Sequence, residues 1–207
     1  MMKRRFISCW PIPVVLIIAF GMFQLIAYWF SGPDRLVHYR MTCRLNVQQI
    51  ALALLVYSQD YDQKLPPAVI STKTIGWAEG TRPYIENSRI FQCPSEHHER
   101  QDNPDSPGFT DYWINRNAAG VKLQNFKDKA ETILLGDGDG GSPESTASYT
   151  INQLPASWLQ SSDSPAKRHL GGANYAFADG HVKWLKPEEI SQSPTSQRAV
   201  VHTFSVK

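Results

Sequence analysis

The distribution of hydrophobic and polar positions changes character near residue 31. From Cys9 to Phe30 no side chain is charged. As a helix, the run from Pro13 to Phe30 rises about 27 Å at 1.5 Å per residue, which approaches the thickness of a bilayer's hydrocarbon core. Trp10, Tyr28 and Trp29 stand at its ends, where amphipathic rings prefer the headgroup level. The pattern therefore predicts a transmembrane helix over 9–30, preceded by a basic segment, 1–8, that carries Lys3, Arg4 and Arg5. Ser31-Gly32-Pro33-Asp34 is expected to end that helix, because proline has no backbone N–H and disfavours a helical residue before it. A cleaved signal peptide is the competing reading, but Ala19-Phe20-Gly21 is a poor small-x-small site.

Beyond a linker and helix start at 31–42, the periodicity becomes that of an amphipathic helix. Val47, Ile50, Ala51, Leu54, Ser58 and Tyr61 recur at helical spacing, with Asn46, Gln48, Gln49 and Gln59 on the other side. Leu52, Leu55 and Val56 widen the apolar arc, so the helix is expected to be wrapped by its own domain or by a neighbour. Lys64-Leu65-Pro66-Pro67 closes it. Between Pro66 and Ser145 the apolar residues occur in short isolated clusters, and only Thr132-Ile133-Leu134-Leu135 reads as a buried strand. The stretch from Asn174 to Leu185 alternates on both sides of Asp179-Gly180, a dipeptide suited to a two-residue type I′ turn. Tyr175 and Phe177 on one strand, with Val182 and Trp184 on the other, would then form the apolar face that docks on the helix. Val200–Val206 is a candidate last strand within a tail at 188–207. The expected fold class is α+β: an N-terminal transmembrane helix, and a second, amphipathic helix packed on a small antiparallel sheet in a loop-rich domain at 43–187.

Composition narrows the function. The chain has 207 residues and 21 Lys and Arg against 19 Asp and Glu, so no basic excess exists to neutralise phosphates and nucleic acid is not an expected partner. Lys3, Arg4 and Arg5 before the apolar run are nearly balanced by Arg35, Arg40 and Arg44 after it. The compact N-terminal cluster and the cysteine placement still favour an N-terminus inside. The expected location is thus the bacterial cytoplasmic (inner) membrane, single-pass, with the C-terminal domain on the periplasmic side.

Of the three cysteines, Cys43 and Cys93 share the soluble domain and are an available disulfide pair if that domain faces an oxidising compartment, the alternative being two buried thiols. Cys93, His97, His98 and Glu99 lack the second ligand pair of a zinc site and read as a solvated loop. Asp137, Asp139 and Asp179 are candidate Ca²⁺ ligands, although the remaining ligands of an EF-hand are missing and a metal-free Gly-Asp turn is the simpler reading. No other cofactor is expected. Gly-x-Ser-x-Gly, a phosphate-cradling Gly-Lys loop and a metalloprotease His pair are all absent, and His169 with Asp179 lacks a nucleophile, so no catalytic residue and no enzymatic activity are expected.

One constellation is more specific. His169 is followed by nine residues and then Asp179-Gly180, within Arg168-His169-Leu170-Gly171-Gly172-Ala173-Asn174-Tyr175-Ala176-Phe177-Ala178-Asp179-Gly180-His181-Val182. This resembles the bacterial pilin-like and pseudopilin proteins with a His, nine-residue, Asp-Gly signature near the C-terminus. Cys43-Arg44-Leu45-Asn46-Val47-Gln48-Gln49-Ile50-Ala51 looks like that family's helix, Tyr57–Pro67 like its end, and Phe91-Gln92-Cys93-Pro94-Ser95 like its central cysteine segment. The resemblance implies a helix packed on a sheet, lateral assembly through helices, and a hairpin that His169, Asp179 and Gly180 fix rather than use for chemistry. The family's leader, Gly-Phe-Thr-Leu-Ile-Glu, is not recognisable here. The expected function is a membrane-anchored, pilin-like structural or assembly protein of the cell envelope, with the lipid bilayer and other membrane or pilin-like subunits as partners. The alternatives are an accessory subunit that stabilises a larger membrane complex, or a glycan- or Ca²⁺-binding module.

Overall fold

The computed structural model of the chain describes residues 12–70, 75–191 and 202–206. Contacts divide the chain into two units, Met1–Val37 and His38–Lys207. One long helix, α1 (Ile12–Asp60), contributes to both.

The expected transmembrane helix requires correction. Among the described residues no helix is long and apolar enough to cross a membrane. The single-pass placement in the inner membrane, with a periplasmic C-terminal domain, falls with that segment. The expected break also does not occur, since the backbone stays helical through 31–34. Proline withholds one N–H from the ladder, and here that loss does not end the helix. Trp10, Cys9 and the basic cluster at Lys3, Arg4 and Arg5 lie outside the described residues.

In the second unit α1 follows the sequence periodicity. Cys43, Val47, Ile50, Ala51, Leu54 and Ser58 are fully buried, whereas Tyr61 is exposed. The helix stops when Asp62 and Gln63 take left-handed φ values of 55° and 61°. The Gln63 amide then donates to the Ser58 carbonyl at 2.8 Å.

The sheet has five strands: β1 (Tyr112–Asn115), β2 (Ile133–Asp137), β3 (Thr150–Ile151), β4 (Ala173–Phe177) and β5 (Val182–Leu185). Their order is β3-β1-β2-β4-β5. Neighbours are antiparallel except β1 and β3, so the sheet is mixed rather than purely antiparallel as expected. Every residue of β1, β2 and β4 is buried, which explains why Thr132–Leu135 reads as a continuous apolar run without alternation. Tyr112, Ile114, Leu135, Ala176 and Val182 pack in one core with Val47, Ile50 and Leu54 of α1. On the opposite face Trp113, Ile133, Tyr175 and Phe177 form a second core. That core is completed by Trp158 of α3 (Ala156–Gln160), Ile190 of β6 (Ile190–Ser191) and Phe204, just beyond β7 (His202–Thr203). A bulge in β2, where two steps from Ile133 to Leu135 match one step from Phe177 to Ala176, sends both Leu134 and Leu135 to the α1 side. The short helix α2 (Trp77–Thr81) places Trp77 in the first core.

The hairpin between β4 and β5 differs from expectation in its loop. Phe177 N–H donates to the His181 carbonyl at 3.0 Å, and Gly180 N–H donates to the Phe177 carbonyl at 2.9 Å. Gly180 has φ +94°, while Asp179 is not in the left-handed region. This is a three-residue loop, a type I turn closed by a left-handed glycine, and not a two-residue I′ turn. The extra residue shifts the register to Tyr175↔Lys183 and Ala176↔Val182. A one-residue slip exchanges faces, so Ala176 and Val182 meet α1 while Tyr175 and Phe177 point to the second core.

Candidate functional site

Four segments far apart in sequence converge at the boundary between α1 and the sheet. Cys43 lies on the buried side of α1, and Cys93 follows the 3₁₀ turn Ser88–Phe91. The two form a disulfide with Cα atoms 5.3 Å apart. Asp137 ends β2, and His169 sits in the tight loop that leads into β4. Cys43, Cys93, Asp137 and His169 are at most 3% exposed, and one potential ligand atom from each lies within 4.8 Å of the others. Cys93 Sγ is 3.5 Å from His169 Nε2, which is 3.5 Å from Asp137 Oδ2.

Local backbone structure holds each group. The His169 amide donates to the Gly172 carbonyl at 2.8 Å, across a loop that needs left-handed φ at Leu170 and Gly171. Trp184 Nε1 donates to the His169 carbonyl at 2.7 Å, so β5 fixes the residue from the other side. At Asp137 the carbonyl accepts from Trp113 Nε1 at 2.7 Å, and Oδ2 accepts from the Asn174 amide at 2.6 Å. Gly136 beside it is required by close packing, because a Cβ there would come within 2.5 Å of the Trp113 ring and 2.7 Å of Tyr175. Asp137 Oδ1 has no hydrogen-bond partner among the described residues, although it is buried. Burial and then the Asp137 carboxylate raise the Tyr112 and Tyr175 hydroxyls well above the ordinary tyrosine range. Asn46 Nδ2 donates to the Tyr112 hydroxyl at 3.4 Å and to the Gln92 carbonyl at 2.9 Å, tying α1 to this layer. While the sulfurs are joined, neither is a thiolate, so the cluster contains no free nucleophile and no sulfur ligand.

A second polar network lies toward the surface. Arg168 pairs with Glu96 and also donates to the Gly138 carbonyl at 2.8 Å. His98 Nε2 is 2.5 Å from Asp111 Oδ1, while Asp111 Oδ2 accepts from the Cys93 amide at 2.7 Å. Burial pushes the Asp111 carboxyl up to about 6, and the hydrogen bonds to His98 and Cys93 offset this only in part. Burial lowers the His98 imidazole, but its bonds to the Glu99 carbonyl and to Asp111 leave it raised on balance. Glu96, Asp139, Lys167 and Arg168 border an open cavity of about 370 Å³ whose charges are of both signs.

The three proposed Ca²⁺ ligands have separate roles. Asp137 belongs to the buried cluster, and Asp139 Oδ1 accepts from the Gly141 amide at 3.1 Å. Asp179 is exposed on the hairpin, where Oδ1 accepts from the His181 amide at 3.1 Å and lies 2.6 Å from His181 Nδ1. Among the described residues, neither Asp139 nor Asp179 joins a group of three potential ligands. Gly180 accepts at its carbonyl from Gln48 Nε2 at 3.1 Å, so the hairpin tip is tied to α1. His97 is exposed and His98 is engaged with Asp111, apart from the cysteines. Sequence reasoning missed the meeting of Asp137 and His169 with the disulfide, since only the chain's return through four elements brings them together. No protein-family model, curated protein or solved structure matches the chain.

Proposed function

We propose that the chain is a non-catalytic, pilin-like structural subunit that assembles laterally through α1, with further copies or other pilin-like subunits as partners. The observation that carries this reading is an exposed apolar stripe on the outer side of α1. Met41, Leu45, Leu52 and Val56 are 44%, 59%, 48% and 43% exposed and recur at steps of four, seven and four, one side of a helix. The opposite side of the same stretch is fully buried at Val47, Ile50 and Leu54. A helix that only covers its own sheet carries polar residues outside, so apolar residues on both sides suit a helix with an inner and an outer partner. In the first unit Leu16, Ile17, Phe20, Phe23 and Leu25 of α1 are likewise exposed. The use of His169, Asp179 and Gly180 as backbone ties of the hairpin supports the same reading.

Sedimentation velocity over a range of concentrations tests it. The wild-type chain is expected to form concentration-dependent assemblies, and a Leu45→Lys/Leu52→Lys variant with an unchanged circular dichroism spectrum is expected to remain monomeric. A wild-type chain that stays monomeric throughout, and that brings down no pilin-like subunit when isolated from its own cells, would overturn the reading.

A further inference from the structure

We infer that reduction of Cys43–Cys93 converts the buried cluster into a four-ligand site for a zinc-like divalent cation, with Cys43, Cys93, Asp137 and His169 as ligands. The geometry points to this. In a tetrahedral site with metal–sulfur bonds of about 2.3 Å and metal–nitrogen or –oxygen bonds of about 2.0–2.1 Å, neighbouring ligand atoms lie about 3.3–3.8 Å apart. Cys93 Sγ to His169 Nε2, at 3.5 Å, and His169 Nε2 to Asp137 Oδ2, at 3.5 Å, already have that separation. The edge between the two sulfurs is short only because they are bonded. Breaking that bond lets the sulfurs move apart, toward about 3.8 Å.

The chemistry of the donors agrees. Two thiolates, an imidazole and a carboxylate, all deeply buried, match the mixed sulfur, nitrogen and oxygen preference of zinc. Asp137 Oδ1 is a buried carboxylate oxygen without a partner among the described residues, a state that costs free energy until a cation or donor satisfies it. Supporting groups orient the ligands as metal sites require: the Asn174 amide holds Asp137 Oδ2, while the Gly172 carbonyl and Trp184 indole hold the His169 backbone.

The step balances. A dithiol donor passes two electrons and two protons to the disulfide and becomes a disulfide itself, leaving two thiols in the chain. Cation binding then releases two protons, one from each sulfur, while the imidazole binds neutral and the carboxylate ionised. The same pair of sulfurs thus cross-links the fold in one redox state and holds a metal in the other.

The test uses Co²⁺ and Zn²⁺ with the full chain, oxidised or reduced by a phosphine. The reduced chain is expected to bind one Co²⁺ with the visible absorption of a tetrahedral thiolate complex, to lose that absorption to Zn²⁺, and to melt at a higher temperature with Zn²⁺ than without. The oxidised chain should show none of these. Cys9→Ser should bind as the wild type does, and Asp137→Asn should lose at least about tenfold in Co²⁺ affinity. Should Asp137→Asn fail to fold, the wild-type comparison still decides. A reduced chain with no thiolate-type Co²⁺ absorption, or an oxidised chain that binds equally well, overturns the proposal.

Discussion

At Asp111, burial moves the carboxyl pKa to about 6 from its ordinary 3.8, and the direction of that shift sets how stability depends on pH. The folded state holds the proton more tightly than the unfolded chain, so between about pH 4 and pH 6 stability falls as pH rises. His98 acts in the same direction: its raised value adds stability below its ordinary 6.5 that is lost as pH climbs through the folded value. Asp111→Asn removes the carboxyl titration while keeping an acceptor for the Cys93 amide. Urea unfolding at pH 4.5 and pH 6.5 checks this. The wild type is expected to lose on the order of 2 kcal/mol more than Asp111→Asn across that interval, the part of a shift of about two pKa units that falls between those two pH values. Equal slopes for both proteins would show that Asp111 does not titrate in this window.

Elements are joined here by cross-links that local sequence does not announce, and the Cys43–Cys93 bond is the strongest of them. It closes a loop with a sequence separation of 50 between α1 and the middle of the domain. On the chain-entropy account, opening a loop of that length costs about 4 kcal/mol. Reduction in chelator-treated buffer is therefore expected to lower the urea midpoint sharply without changing the strand content seen by circular dichroism in zero urea. An unchanged midpoint would mean that packing of α1 against the sheet suffices alone. Element identity was legible where the apolar pattern is sustained: the spacing of Val47, Ile50, Ala51 and Leu54 marks α1, buried on one side, and the unbroken apolar run at Thr132–Leu135 marks β2, buried on both faces. The hairpin was legible as a hairpin, but Asp179-Gly180 does not state its loop length. The additional loop residue reversed the faces of Tyr175 and Phe177. β1 was read only as an isolated hydrophobic cluster, because it is four residues long and its parallel partner β3 only two. The buried cluster was not legible as a site at all. Its four ligand candidates come from α1, the segment after a 3₁₀ turn, the end of β2 and the loop before β4, with no shared spacing.

Within His38–Lys207, the sheet is buried on both faces, and this arrangement makes the C-terminal residues part of the core. Phe204 is only 4% exposed, and its ring stacks on Trp113 with centroids 5.3 Å apart. Its carbonyl accepts from Asn115 Nδ2 at 3.0 Å and from Asn117 Nδ2 at 3.2 Å, so the backbone there satisfies donors from β1 and the turn that follows it. Thr203 adds a link through its amide to the Glu131 carbonyl at 2.9 Å, and Lys127 donates to the Val206 carbonyl at 3.1 Å. One helix over one sheet face leaves the far face needing a cover, and in this chain α3, β6 and the 202–206 segment supply it. Phe204→Ala removes a ring from between Trp113 and the rest of that cover and leaves a cavity that rigid neighbours cannot fill. The expected cost is about 3–5 kcal/mol, typical of deleting a buried phenylalanine. The same variant should bind a hydrophobic dye more strongly through the exposed Trp113 face, while the α1 side, packed in a separate cluster, keeps its structure. Denaturant unfolding gives the stability, and amide hydrogen exchange gives its location. Lost protection should appear in β1, β2 and β4 through the second core and spare the Val47–Leu54 turns of α1. Uniform loss across α1 and the sheet would mean that the two cores unfold as one and that the far face is not a separable layer.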